Sequence, residues 1–308
     1  MKIFLQKIAL FSLCILVPLC LLEWWMRQPA SSKMANKAVY LKEDIADCEA
    51  LVLGCSHAQT SLNPQLFSQH GLNFSSDAQP YYYSYKFLET YLPRMDRLRT
   101  VIIPATYFFF FYKPEQVQEF LYSAHWGLLP QRALEIEDYS ALFAHGIWAS
   151  ILNVFGEREH FVLENGWERA ERVFDGSSEN TKKRIGYLHD VMADSLLDQN
   201  IQWFNHLVKI CLDHNIRLIV FLPPMSKEMN HQLETDIYRS QIQDYYATLR
   251  QNPAISFYDF NNNEIFADSL FCDPDHLNVQ GANLLSNMMK DKLEIISGMS
   301  FPNQNQLF

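Results

Sequence analysis

Short apolar runs separated by longer amphipathic stretches set the rhythm of the chain from residue 50 onward. Residues 50–54 (ALVLG), 72–75 (LNFS), 100–106 (TVIIPAT), 217–223 (RLIVFLP) and 255–260 (ISFYDF) each fit a buried strand. Helical periodicity occupies residues 81–92, 197–214, 235–250 and 279–296. Strands that are apolar throughout and alternate with helices predict an α/β domain with a mostly parallel sheet covered on both faces, a three-layer α/β/α arrangement.

Two stretches depart from that rhythm. Residues 8–22 carry no charge, follow Lys2 and Lys7, and end at Glu23, Trp24 and Trp25. This predicts an uncleaved membrane signal anchor over residues 1–27, with paired tryptophans at the interface and only a weak cleavage candidate at Ala30 and Ser31. A polar linker is expected over residues 28–44, a domain over 45–296 and a tail over 297–308. The second departure spans about residues 107–194, between the third strand and the next strand–helix unit. It opens with YFFFFY, holds Trp126, Trp148 and Trp167, and shows helical patterns near 114–123 and 139–155. An inserted helical cap with its own small core is the expected form. A substrate lid or a docking face for a membrane partner is the sharper alternative.

Composition narrows the function classes. Hydrophobic residues make up 48% and charged residues 19%, which describes a folded chain. A net charge of −10 argues against nucleic acid as a partner, because displacing counterions needs a basic face. Of six cysteines, Cys14 and Cys20 fall in the apolar segment, leaving too few for a disulfide framework. No metal-ligand spacing and no glycine-rich phosphate loop is present, so neither metal nor organic cofactor is expected.

Candidate chemistry sits at strand ends. After the first strand, Gly54 permits a sharp turn that lifts Ser56 out of the packed layer. A serine needs a base and a group to orient that base. Asp273 and His276, in FCDPDHLN before the last helix, offer both from one loop. Ligands in open parallel sheets bind beyond the carboxyl ends of strands, where Ser56, Thr106, Asp273 and His276 can converge. Cys55 is the rival nucleophile, expected to face the sheet as a small apolar residue. Asp275 is the rival orienter, at an awkward position beside His276. His57 is read as a supporting or substrate-contacting residue rather than the base.

GCSH near the first strand, with DPDH before the last helix, resembles the SGNH (GDSL-like) hydrolases. The resemblance spans roughly residues 50–296 apart from the insertion. With the N-terminal anchor, the chain is most similar to membrane-tethered members that handle acyl groups on cell-surface polymers, including accessory proteins of alginate and teichoic-acid acylation. It implies Ser56 as nucleophile, His276 as general base and Asp273 as its orienter. It also implies an extracytoplasmic O-acyl esterase or O-acyltransferase, with an acylated glycan or acyl donor as substrate. An integral-membrane acyltransferase is the implied partner. A scaffold or glycan-binding subunit on the same fold is the alternative. Such hydrolases complete the oxyanion hole with a glycine amide after the second strand and an asparagine after the third. Here Ser76 or Asp77 would supply the amide, and Thr106 stands near the asparagine place.

Overall fold

The computed structural model describes residues 1–28, 32–146, 151, 163–261 and 263–297. The cleavage candidate at Ala30 and Ser31, Trp148, most of the pattern beyond residue 146 and the tail after 297 lie outside the described residues. The chain divides into two compact units: Met1–Glu43 with Pro114–Val162, and Asp44–Lys113 with Leu163–Phe308.

The first unit begins with a helix over Lys2–Met26, about 37 Å long at 1.5 Å per residue. It is apolar and long enough to cross a membrane, and Phe4, Leu10, Phe11, Leu16 and Leu21 stand exposed along it. The helix suits a membrane anchor or a signal segment. Its last turn packs Leu22, Trp25 and Met26 against Phe120, Ala141 and Leu142. Glu23 then caps the helix Ala141–His145, accepting from the backbone N–H of Ala141 (3.0 Å) and Leu142 (3.1 Å).

The linker expected over residues 28–44 is helical in part. Ser32 caps a helix over Lys33–Lys37, and a single turn follows over Tyr40–Glu43. Met34 and Leu41 are buried, and the Trp126 indole N–H donates to the Met34 carbonyl at 3.1 Å. Buried apolar residues two turns apart give this segment a packed face that a polar reading overlooks.

The second unit holds a five-stranded sheet of β1 (Ala50–Val52), β2 (Gly71–Asn73), β3 (Thr100–Pro104), β4 (Arg217–Leu222) and β5 (Ile255–Asp259). The order is β2-β1-β3-β4-β5, and all four pairings are parallel. The register sets Leu51 beside Leu72 and Val101, and Ile102 beside Ile219. On one face Val52, Ile102, Ile219 and Phe221 join Leu285 and Met289 of the closing helix Val279–Ser297 in one apolar cluster. The alternate residues Leu51, Val101, Leu218 and Val220 are equally buried, so both faces of the sheet are covered. Strand order reverses between β1 and β3, which is where open parallel sheets leave a crevice for ligands.

The span 107–194 is divided between the two units. Tyr107–Phe110 and Leu163 onward belong to the sheet-bearing unit, while 114–162 belongs with the N-terminal helix. Where the chain returns, the strand pair Leu163–Glu164 and Trp167–Glu168 meets β2, with Asn73 N–H donating to the Asn165 carbonyl at 2.8 Å. Gly166 makes that approach possible: its φ is +86°, and a Cβ there would lie 2.0 Å from the Asn73 carbonyl oxygen.

Candidate active site

Gly54 ends β1 with φ +114°, and a Cβ there would come within 2.6 Å of Pro104 Cδ on β3. Only glycine fits that combination of backbone angle and close approach. The chain then turns through Cys55 into a helix over Ser56–Ser61, so Ser56 opens a helix at the carboxyl end of β1. Asn73 at the end of β2 fixes that helix, donating to the carbonyls of Ala58 and Leu62 at 2.9 Å each. Trp167 adds a 2.7 Å bond to the Thr60 carbonyl.

The loop before the closing helix folds back on itself. Cys272 N–H donates to the His276 carbonyl at 2.9 Å, and Asp273 Oδ1 accepts from the N–H groups of Asp275 (3.0 Å) and His276 (2.8 Å). This local turn is a habit of aspartate. It sets the Asp273 carboxylate 2.9 Å from His276 Nδ1, while His276 Nε2 lies 2.8 Å from Ser56 Oγ. Ser56, His276 and Asp273 thus form a continuous hydrogen-bonded row across 220 residues of sequence.

A second row lies against the first. Cys55 Sγ is 3.5 Å from His57 Nδ1, and His57 Nε2 is 3.3 Å from Asp275 Oδ2, an ionic contact rather than a well-aligned hydrogen bond. The two imidazoles stack at 4.5 Å between centroids with an interplanar angle of 26°. Arg184, on the helix Ser178–Asp190, grips Asp275 from the far side. Its Nε donates to Oδ1 at 2.9 Å, and a terminal nitrogen donates to Oδ2 at 2.9 Å.

Charge ties the rows together. Burial opposes ionisation of Asp275, yet Arg184 first, then His276 and His57, hold its carboxyl well below the usual range. Burial also opposes charging of His276, but Asp275 and then Asp273 outweigh it, leaving His276 more basic than an ordinary histidine. His57 is raised as well, because contacts with Asp275 and Cys55 outweigh burial and the opposing charge of His276. His57, Asp275 and His276 hold ligand-type atoms within 4.8 Å of one another. The guanidinium already bound to both oxygens of Asp275 disfavours a cation there.

The remaining sequence candidates separate. Thr106 is buried, with Oγ1 3.8 Å from Cys55 Sγ, so its hydroxyl faces the second row. The Ser76 amide donates to the Gly54 carbonyl at 2.9 Å and is thus engaged within the fold. Asp77 is exposed and accepts from Gln59 Nε2 at 3.4 Å. Among the described residues, nothing accepts a hydrogen bond from the N–H of Ser56 or His57, the two amides that open the helix. Cys55 is 2% exposed and contacts His57, so it is not merely an apolar filler of the sheet. Asp275, set aside in sequence for its adjacency to His276, comes within 3.5 Å of His276 Nδ1. Arg184 went unnoticed because it lies 91 residues from its partner, inside the span read as a cap.

The chain matches no protein-family model and no curated protein. What can be said of its chemistry comes from the residues themselves. Burial pushes the thiols of Cys48, Cys211 and Cys272 up to about 12, leaving them protonated at neutral pH. Ser56 stands apart: it is half-buried, hydrogen-bonded to a basic imidazole, and placed at the reversal of strand order.

Proposed function

We propose that the chain is a membrane-tethered serine esterase or O-acyltransferase of the SGNH kind, acting on acylated cell-envelope polysaccharide through an acyl-serine intermediate. The carrying observation is the 2.8 Å contact between Ser56 Oγ and His276 Nε2, with Asp273 at 2.9 Å from the other ring nitrogen. A parallel sheet buried on both faces, with its strand order reversing beside Ser56, supports the three-layer SGNH architecture.

Ser56 Oγ attacks the ester carbonyl and passes its proton to His276 Nε2. Asp273 accepts from Nδ1–H, fixes the ring and stabilises the imidazolium. The amides of Ser56 and His57 are the open donors for the oxyanion. Collapse of the tetrahedral intermediate expels the alcohol oxygen, which takes the proton from His276. Water or a sugar hydroxyl then gives its proton to His276 and attacks the acyl carbon; collapse of this second intermediate breaks the acyl–Oγ bond, and Ser56 Oγ takes the proton back from His276. Hydrolysis and transfer differ only in that second nucleophile.

The scaffold reading keeps one observation in its favour. The Ser76 amide is engaged by the Gly54 carbonyl and the Thr106 hydroxyl faces Cys55, so two of the three donors expected for the oxyanion are directed elsewhere. Such a subunit would bind glycan and an integral-membrane acyltransferase without turning over esters. The deciding experiment gives the full chain in nanodiscs an O-acetylated oligosaccharide and follows free acetate and acetyl transfer. Turnover lost in Ser56→Ala supports the enzyme, whereas no turnover by the folded wild type supports the scaffold. The apolar Lys2–Met26 helix supports a membrane tether, and the proposal puts the sheet-bearing unit outside the cytoplasm. An alkaline phosphatase fusion after Lys42 is then active, and an inactive fusion reverses the orientation.

A further inference from the structure

A cavity of about 390 Å³ opens over the carboxyl ends of β3, β4 and β5, beside the candidate site but not lined by Ser56 or His276. Its size falls within the range of roughly 300–1,000 Å³ typical of small-molecule sites. The floor comes from Ala105, Thr106 and Tyr107 after β3, and from Leu222 and Pro223 at the end of β4. Neighbouring strands lie about 4.8 Å apart, so the cavity begins one strand spacing from β1 and Ser56. Thr106 joins the two places: it lines the cavity, and its hydroxyl reaches Cys55.

Two groups in the wall point to a ligand. Tyr107 is 4% exposed, and its hydroxyl has no hydrogen-bond partner among the described residues. A buried hydroxyl left unpaired is costly and calls for a partner supplied from outside. Burial pushes the pKa of that phenol well above its ordinary value, and the carboxylates of Asp236 and Asp275 raise it further, so the hydroxyl keeps its proton. Arg239 spends two bonds, at 3.0 Å each, on the neutral amide oxygens of Asn230 and Asn261. No carboxylate pairs with its guanidinium among the described residues, although Glu234, Asp236 and Asp259 also line the cavity.

The lining carries three carboxylates (Glu234, Asp236 and Asp259) and two guanidiniums (Arg239 and Arg250), so the two signs nearly balance. Asp259 pairs with Arg250 at 2.8 Å, and Asp236 lies 2.7 Å from a ring nitrogen of His189. An anionic ligand would meet three carboxylates, and a cationic one would meet Arg239 and Arg250. A neutral ligand rich in hydroxyls satisfies donors and acceptors alike, and Tyr107 and Tyr246 give it ring surface. We infer that the cavity between Tyr107 and Arg239 is a saccharide subsite that holds an uncharged sugar one or two residues from the ester at Ser56. The inference rests on the proposed function for the position of the ester, but not for sugar binding itself.

The test separates the two. Binding of neutral trisaccharides (maltotriose, cellotriose and chitotriose) to full-length Ser56→Ala protein is measured by saturation-transfer NMR, which needs no turnover. At least one binds, and Tyr107→Phe or Arg239→Gln weakens it about five- to tenfold. A trisaccharide of uronic acids binds more weakly still. In the Ser56-intact protein, Tyr107→Phe raises KM for an O-acetylated oligosaccharide at least fivefold more than for 4-nitrophenyl acetate, with kcat for the saccharide nearly kept. Thermal melts keep folding losses apart from binding losses, and Tyr107→Phe removes a single oxygen. Sugar binding without any ester turnover upholds the subsite and rejects the enzyme. Ester turnover with no Tyr107- or Arg239-dependent sugar effect upholds the enzyme and overturns the subsite, as does preferential binding of the uronate.

Discussion

Two rows of side chains lie against each other at the end of β1, and they are built from similar parts. Ser56, His276 and Asp273 form one; Cys55, His57 and Asp275 form the other. Their surroundings differ. Ser56 is half-buried and the Asp273 side chain is 40% exposed, whereas Cys55, His57 and Asp275 are at or near zero exposure. Asp275 is also committed to Arg184. The outer row can meet a substrate and change charge during a reaction. The inner row holds fixed charge beneath it. Geometry alone does not choose the nucleophile; access and the existing partners of each carboxylate do.

The largest expected difference is in turnover. Ser56→Ala lowers ester hydrolysis by roughly three to six decades, while Cys55→Ser costs less than about tenfold. Steady-state assays of both variants check this, and the reverse order would exchange the roles of the rows. Next comes stability. Asp275→Asn leaves the Arg184 guanidinium facing a neutral amide and costs about 2–4 kcal/mol, below the range for a fully enclosed pair because Arg184 keeps 24% exposure. Asp273→Asn, on a more exposed carboxylate, costs less than about 1 kcal/mol. Urea titrations of the two variants measure the gap; equal losses would mean that the inner row is not the buried charge it looks to be.

The pH dependence sharpens the same contrast. In the proposed mechanism His276 acts as a base in its neutral form, so kcat/KM is expected to fall as pH drops through its pKa. With Asp275 and Asp273 raising that pKa, the acid limb has its midpoint above the ordinary histidine value of about 6.5. Removing the Asp275 charge moves the midpoint down. A pH–rate profile of Asp275→Asn that stays in place or moves up contradicts the electrostatic link. The smallest effect is expected at Thr106, whose hydroxyl faces Cys55. Thr106→Val changes turnover by less than about threefold, far below the two to three decades of a lost oxyanion donor.

Much of the sheet was legible in the sequence. The runs at 50–53, 101–105 and 218–222 are apolar throughout, as strands buried on both faces must be. The loop at 272–277 was legible because aspartate and histidine three residues apart can meet locally. What escaped notice depends on contacts distant in sequence. Arg184 reaches Asp275 from a helix that has no motif of its own. Asp275 is an awkward orienter by its adjacency to His276 in sequence, yet the fold sets its carboxylate 3.3 Å from His57 Nε2 and 3.5 Å from His276 Nδ1. The Ser76 amide looked available because no pattern reveals that the Gly54 carbonyl turns towards it. Residues 114–162 looked continuous with their flanks because their grouping with the N-terminal helix rests on packing that no periodicity encodes.

The central claim is that Ser56, and not Cys55, is the residue that takes an acyl group. Intact-mass analysis of the full chain after exposure to a fluorophosphonate, followed by peptide mapping, tests it most directly. The expected result is one adduct, on Ser56, absent from both Ser56→Ala and His276→Ala and retained in Cys55→Ser. An adduct on Cys55, or none in the folded wild-type protein, would contradict it.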